Sequence, residues 1–253
     1  MPPWPQGRGF LITGGAGDIG RATATLLAGR GGHVMLADRD AEAARAVADR
    51  IEAGAVDAMG CDVTVAAEVQ AAVDAAVEMT GRLDGAFNAA GIIGPAFPGI
   101  GMAEADWTRV LAVNLTGAWL ALRAEAAAMR AGGGGAIVNA ASVAGLIGAK
   151  LSVAYGAAKH GVVGLTRCAA LEVAGDGIRV NCVCPNWTEG AMTAAVSAAV
   201  PGRGLDTRMA ERTPLGRIGQ PHDTASAVVW LLSPESSYLT GAVIPVDGGF
   251  TAQ

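Results

Sequence analysis

The sequence predicts a doubly wound α/β fold: a mostly parallel sheet of seven strands in the order 3-2-1-4-5-6-7, with helices packed on both faces. Two observations carry this prediction. Short apolar runs alternate with longer Ala-rich runs of helical character along the whole chain, and a helix between strands is what a right-handed parallel crossover requires. The 253 residues are 51% hydrophobic and show no linker-like stretch, so one core is expected to serve residues 1–253 as a single domain.

The elements follow in order. "FLIT" at 10–13 is the first strand and leads into a helical run at 18–30. "HVMLAD" at 33–38 precedes a helix at 41–53, "AVDAMGCD" at 55–62 precedes one at 65–80, and "LDGAFNAAG" at 83–91 precedes one at 104–131. "GAIVNAAS" at 135–142 is followed by a helix at 152–174, and "IRVNCVCP" at 178–185 is the sixth strand. A loop-helix region at 186–217, a helix at 222–232 and the strand "AVIPVD" at 242–247 complete the chain. Gly and Pro gather at strand ends, where loops belong. In such a sheet ligands bind outside the carboxyl ends of the strands.

Composition narrows the function. A net charge of −5 with no Lys/Arg cluster argues against nucleic acid, which demands a basic face, and leaves a small-molecule substrate as the expected partner. Cys61, Cys168, Cys182 and Cys184 lack zinc-site spacing and are expected to be buried free thiols, with no metal bound. That cysteine usage suits a reducing cytoplasm. The start "MPPWPQGRGF" has no apolar signal core, and no apolar run is long enough to span a bilayer, so a cytoplasmic protein without membrane attachment is expected.

The loop after the first strand, "TGGAGDIG" at 13–20, carries the first chemistry. Glycines between a strand and a helix let backbone N–H groups approach phosphate at a positively polarised helix N-terminus. Two alignments are open: Gly15, Gly17 and Gly20 spell G-x-G-x-x-G, whereas Gly14 and Gly20 fit T-G-x-x-x-G-x-G with Asp18 in a glycine's place. The second strand ends on Asp38, placed to accept hydrogen bonds from both adenosine ribose hydroxyls. A 2′-phosphate about 4 Å from that carboxylate would be repelled by on the order of 4 kcal/mol at an effective dielectric of about 20. NAD is therefore expected over NADP, with Arg39 beside the ribose as a solvated neighbour.

Residues 142–160 read "SVAGLIGAKLSVAYGAAKH", which sets Tyr155 and Lys159 four apart on one helical face. A phenol with an ordinary pKa of about 10 is a poor acid–base near neutrality, and a neighbouring ammonium plus a cationic nicotinamide favours its phenolate. Ser142, at the end of the preceding strand, can bond the same reacting oxygen.

Here the chain resembles the short-chain dehydrogenase/reductase family, in its short single-domain branch, over nearly its whole length. "TGGAGDIG" is similar to the family's T-G-x-x-x-G-x-G, "CDVT" supplies the adenine-side Asp62, and "NAAG" at 88–91 is similar to N-N-A-G. Asn114 in "VNLTG", Ser142, and "YGAAK" from Tyr155 to Lys159 match the catalytic positions, and "PLGRIGQP" with "YLTGAVIPVDGG" match the C-terminal signature. The resemblance implies a Rossmann-type fold and hydride transfer between a substrate carbon and a nicotinamide. Tyr155 would exchange a proton with the substrate oxygen, Ser142 would orient that oxygen, Lys159 would bind the nicotinamide ribose, and Asn114 would hold a water linking Lys159 to solvent. It places Gly14, Asp18, Ile19, Gly20, Asp38, Arg39, Asp62, Val63, Asn88, Ala89 and Gly91 beside the cofactor. Tyr155, Lys159, Pro185, Thr188 and Met192 complete that set.

The resemblance fixes Gly14 and Gly20 as the ends of the loop motif and makes Asp18 a true substitution. At a helix start it is an N-cap or first-turn acid, its carboxylate directed away from the pyrophosphate toward Arg21 or Arg39. The loop alone predicts that Asp18→Gly leaves NAD binding equal or tighter at a small cost in stability. After the sixth strand, "CPNWTEGAMT" departs from the family's Pro-Gly and following Thr: Asn186 replaces the Gly and Gly190 stands at the Thr position, so Thr188 or Thr193 is left to supply the hydroxyl. Ala89 replaces the second Asn of the N-N-A-G motif.

The lid expected over the substrate, at about 188–213, contains the uncharged run "AMTAAVSAAV", and the loop at 92–103, "IIGPAFPGIGMA", is similarly apolar. Ile93, Pro95, Ala144, Leu146, Trp187 and Met192 are the pocket candidates. The sequence thus predicts an NAD(H)-dependent oxidoreductase interconverting a hydrophobic or cyclic secondary alcohol and its ketone. A 3-oxoacyl-thioester reductase shares the motifs but would favour NADPH and a basic docking face, and a non-catalytic NAD-sensing or scaffolding protein would have no need of the tetrad. The family resemblance further implies a homotetramer built on the helices at 104–131 and 152–174 and the last strand, with a dimer as the other option.

Overall fold

The computed structural model describes residues 7–95, 99–150, 153–199 and 204–253. Its strands are β1 (Gly9–Thr13), β2 (His33–Asp38), β3 (Ala55–Gly60), β4 (Gly85–Asn88), β5 (Gly135–Ala140), β6 (Ile178–Pro185) and β7 (Val243–Val246). They form one parallel sheet in the order β3-β2-β1-β4-β5-β6-β7. The helices are α1 (Asp18–Ala28), α2 (Ala41–Ala48), α3 (Ala66–Thr80), α4 (Glu104–Leu111), α5 (Gly117–Ala131), α6 (Val153–Val173), α7 (Ala191–Ala199), α8 (Leu205–Glu211) and α9 (Pro221–Leu232).

Both faces of the sheet are covered, which is why its central strands are apolar without alternation. On β1, Phe10 and Ile12 enter the core built with Leu27 of α1, Val47 of α2 and Val228 of α9. Leu11 between them enters the opposite core with Val69 of α3, Leu120 of α5 and Ala169 of α6. Each fully buried Leu, Ile or Phe contributes roughly 1.5–3 kcal/mol relative to exposure. The chain leaves β1 for β2 on one side and reaches β4 on the other, so the loops after β1 and β4 part and open a crevice at the carboxyl edge.

Local departures from the sequence pattern have identifiable causes. The second helix ends at Ala48 rather than near 53, with Asp49 as its C-cap. The expected helix at 104–131 is broken by a π-helical segment, Ala112–Thr116. Asn114 lies in that segment and turns its side chain back onto Val110 O at 2.9 Å, and such π-bulges recur at functional positions. Cys168 is exposed on α6, correcting the expectation that all four thiols are buried; Cys61, Cys182 and Cys184 are. Among the described residues no helix is long and apolar enough to cross a membrane.

The region after β6 is a small tied unit. Asp206 of α8 accepts hydrogen bonds from Trp187 Nε1 at 2.8 Å and from Ser197 Oγ of α7 at 2.9 Å. One carboxylate thus joins the two short helices to the chain leaving the sheet.

Candidate active site

A cavity of about 850 Å³ opens at the carboxyl edge, lined by the glycine loop, the ends of β2, β4, β5 and β6, the start of α6 and the segment leading into α7. Its nucleotide side is built from close backbone approaches. Gly14 has φ +69°, and a Cβ there would lie 2.6 Å from Ala90 N. A Cβ at Gly20 would lie 2.5 Å from Gly14 O. These two contacts give the ends of the loop motif their physical reason, and Gly15 between them is set by packing on β2, where a Cβ would lie 2.8 Å from Leu36 Cβ. The bare backbone forms a cradle that a phosphate can enter.

Asp38 pins that cradle from the next strand. Its Oδ2 accepts from Ala16 N at 3.0 Å and its Oδ1 from Asp40 N at 3.1 Å, and each oxygen keeps a further lone pair for a ribose hydroxyl. Across the adenine side, Asp62 Oδ1 accepts from Thr64 N at 2.9 Å and Thr64 Oγ1 at 2.7 Å. Those bonds, with a smaller contribution from Arg39, hold the Asp62 carboxyl below its ordinary pKa. Arg39 and Val63 line the same cavity.

The catalytic candidates converge from three elements. Ser142 follows β5 and its Oγ accepts from Ala144 N at 3.2 Å. Tyr155 and Lys159 share a face of α6, with Lys159 Nζ 5.5 Å from the Tyr155 ring centroid. Lys159 Nζ donates to Ala140 O at 2.6 Å. Burial lowers the Lys159 ammonium to about 8, opposed by the nearby thiols of Cys184 and Cys182. Burial raises the Tyr155 phenol above its usual value, and its hydrogen bond with Ser142 opposes the rise. Desolvation dominates among the protein groups, so the expected bias toward phenolate rests on Lys159 together with the cationic nicotinamide.

Asn114 is spent on structure more fully than the sequence suggested. Its Nδ2 donates to Ile92 O at 2.8 Å as well as to Val110 O, and its Oδ1 accepts from Ile92 N at 3.2 Å. Both amide protons are thereby used, and one acceptor site on Oδ1 remains. Gly91 lies against this group, where a Cβ would approach Asn114 Oδ1 to 2.7 Å and Lys159 Nζ to 3.6 Å.

Gly14, Asp18, Ile19, Gly20, Asp38, Arg39, Asp62, Val63, Ala89, Gly91, Asn114, Ser142, Tyr155, Lys159, Pro185 and Thr188 all line the cavity. So do Ile93, Ala144, Trp187 and Met192 from the substrate-side candidates. Three candidates do not. Asn88 sends its side chain into the core, where its Nδ2 donates to Glu125 Oε2 at 2.9 Å and Asn139 Oδ1 at 3.1 Å. Leu146 turns under the cavity and packs with Ala141, Val162 and Cys184. Pro95 follows Gly94, at φ +74°, and is not on the lining.

Sequence reasoning also missed lining residues. Val196, Met209 and Phe250 close the apolar end, and Arg109 and Arg212 stand at the wall. Arg212 is held over the Phe250 ring at 5.5 Å. Phe250 belongs to the C-terminal turn, far from the lid in sequence, so only the "VDGGF" terminus of the matched signature could have pointed to it.

Asp18 lies in the first turn of α1, with Gly17 as the N-cap, so its carboxylate caps nothing in its own helix. Its Oδ1 meets Arg21 Nη2 at 3.2 Å as expected, and its Oδ2 accepts from Ala191 N at 2.8 Å. Thr193 Oγ1 donates to Thr188 O in a short bond, and Thr188 Oγ1 donates to Asn186 O at 2.9 Å. Both hydroxyls named as stand-ins for the missing Thr are thus engaged with backbone.

Comparison with known proteins gives the family. A family model described as enoyl-(acyl carrier protein) reductase matches residues 14–251. The chain is 42% identical over 245 residues to a cyclohexanol dehydrogenase of Acinetobacter sp. (strain SE19), covering 96% of this chain and 94% of that one. The crystal structure of a levodione reductase superposes with a TM-score of 0.90 at 37% identity, covering 98% of both chains. That of an NAD+-bound xylitol dehydrogenase superposes with a TM-score of 0.89 at 34% identity, covering 96% of this chain and 99% of the other. The chain belongs to the short-chain dehydrogenase/reductase family and is an oxidoreductase acting on CH–OH groups.

Proposed function

We propose that this protein is a cytoplasmic, single-domain NAD(H)-dependent dehydrogenase/reductase that interconverts a hydrophobic, cyclic secondary alcohol and its ketone. The observation that carries the reading is the pairing of Asp38 at the ribose end of the cavity with apolar walls around Ser142 and Tyr155 at the other end. The relative named for cyclohexanol supports a cyclic substrate, and the solved relative holding NAD+ supports the dinucleotide.

When bound, a nicotinamide would supply or accept the hydride at the substrate carbon. The chain's own residues handle the proton and the geometry. In ketone reduction the Tyr155 phenol gives its proton to the substrate oxygen, and in alcohol oxidation the deprotonated phenol takes it back. Ser142 holds that oxygen from the end of β5. Lys159, fixed by Ala140 O, keeps a positive charge beside the phenolate. Asn114 fixes the Ile92 backbone at the wall, and its remaining acceptor site can hold the water of a proton path.

Exclusion of bulk water falls to Trp187, Met192 and Val196. We further assign a homotetramer to α5, α6 and β7, supported by the exposed Trp119 on α5 and Leu171 on α6, of which Leu171 is 83% exposed. NADH absorbance followed against cyclic and aryl alcohols with NAD+ and with NADP+ tests the reading; turnover confined to NADP+, or to acyl thioesters, would overturn it.

A further inference from the structure

We propose that Asp18 is a positioning residue that latches the lid to the phosphate loop across the cofactor groove and slows release of the dinucleotide. The proposal rests on the NAD(H) reading above. The latch is the bond from Ala191 N to Asp18 Oδ2 at 2.8 Å, between residues 173 apart in the chain. Both residues line the cavity, so the bond joins its two walls: the first turn of α1 on one side, the first turn of α7 on the other. A carboxylate accepting from a helix N-terminal amide gains from the ionic hydrogen bond and from the partial positive charge of that terminus.

A second observation makes the contact specific. Gly190 has φ +152°, and a Cβ built on it would lie 2.2 Å from Asp18 Oδ2 and 2.8 Å from Asp18 Cγ. No other residue fits at 190 while the carboxylate is in place. The two departures from the family pattern, an acid for Gly at 18 and Gly for Thr at 190, are therefore one structural unit. Arg21, bonded to the other carboxylate oxygen at 3.2 Å, offsets the charge that Asp18 would otherwise turn toward a phosphate.

The lid's other ties run to different parts of the chain: Glu189 N donates to Gly219 O at 2.9 Å, Thr188 forms an isolated bridge with Gly219, and Arg212 O accepts from Gln253 Nε2 at 3.0 Å. Among the described residues, the Asp18–Ala191 bond is the hydrogen bond that joins the lid segment to the phosphate loop. Motion of α7 away from α1 must break it. This reverses the expectation from the loop alone, in which removing the carboxylate costs the cofactor nothing.

The test uses the intact protein and two readouts: the NADH dissociation rate by stopped-flow displacement, and hydrogen exchange at the Ala191 amide without cofactor. Asp18→Ala raises both by about tenfold, the scale of one lost hydrogen bond to a charged group. Asp18→Asn keeps an acceptor and stays within about threefold of wild type, a rescue that a general loss of stability would not give. Gly190→Ala raises the dissociation rate more in the Asp18 background than in the Asp18→Ala background, where the collision has gone and only the backbone strain at φ +152° remains. Wild-type dissociation and exchange rates in Asp18→Ala overturn the latch. Failure of the wild type to bind NADH overturns the cofactor reading instead, and exchange at Ala191 then still decides the latch.

Discussion

Asn114 and Ile92 form a two-point clasp: the side-chain amide donates to Ile92 O at 2.8 Å and accepts from Ile92 N at 3.2 Å. A side chain in a π-helical turn thereby reads the backbone of the loop after β4 as a neighbouring strand would. The clasp leaves room for no atom at Gly91, whose Cβ would press on Asn114 Oδ1 at 2.7 Å. Gly91→Ala is expected to displace Asn114 and the adjacent Lys159. Overpacking of this kind costs about 1–3 kcal/mol, so kcat/KM falls about tenfold or more in steady-state assays and the thermal midpoint drops by several degrees.

Asp38 has two duties that one variant can separate. Asp38→Asn keeps an acceptor for one of the two backbone amides but removes the charge that repels a 2′-phosphate. The ratio of kcat/KM for NADP+ to that for NAD+ is expected to rise by roughly a hundredfold or more, given a repulsion on the order of 4 kcal/mol. Asp38→Ala gives a similar shift together with a lower thermal midpoint, because the Ala16 and Asp40 amides lose their acceptor. Unchanged cofactor preference in both would show that Asp38 does not face the ribose.

Glu125 predicts a pH-dependent stability. Its side chain is buried, accepts from Asn88, and has one oxygen without a hydrogen-bond partner among the described residues. Burial raises its pKa to about 8, with the Asn88 bond opposing. A carboxyl whose folded pKa exceeds its unfolded value stabilises the protein fully below about 4.5, and that stabilisation is lost as pH rises toward and through about 8. Glu125→Gln, which stays neutral, should lose less stability than wild type between pH 6 and pH 9 in denaturant titrations, the difference approaching about 1.4 kcal/mol per unit at its steepest.

Asp206 is the knot of the lid, and Asp206→Ala frees Trp187 and Ser197 together. Both bonds are exposed, so the thermal midpoint should move little. KM for a bulky cyclic alcohol should rise by roughly three- to tenfold, since each lost bond is worth about 1 kcal/mol, while the dissociation constant for NADH moves less. The split between the two ligands, read from initial rates and fluorescence titration, checks that Asp206 shapes the substrate end.

How much of this was legible in the sequence follows from the range of each interaction. The glycine loop, Asp38 and the Tyr155/Lys159 pair are local patterns set by period and spacing, strand order follows from right-handed crossovers, and the sheet brings the motifs to one edge. The misplaced residues depend on direction rather than position. Asn88 ends a strand at the edge where ligands bind, yet its side chain points into the core toward Glu125. Leu146 lies four residues after Ser142, yet it packs under the floor. Asp18 had two foreseeable partners nearby in sequence, and its bond to Ala191 could be seen only once the lid was folded over the loop.

The central claim is that Tyr155 transfers the proton while a hydride passes between NAD(H) and a cyclic secondary alcohol or ketone. Its most direct measurement is NADH formation at 340 nm, a wavelength chosen for the reduced nicotinamide, with cyclohexanol-type substrates and either wild type or Tyr155→Phe. The account predicts turnover by the wild type, and a loss of about 10²–10⁴ in kcat for Tyr155→Phe, the usual worth of a positioned acid–base, with NADH binding retained. Absence of turnover by the wild type across such alcohols and ketones, or undiminished turnover by Tyr155→Phe, would contradict it.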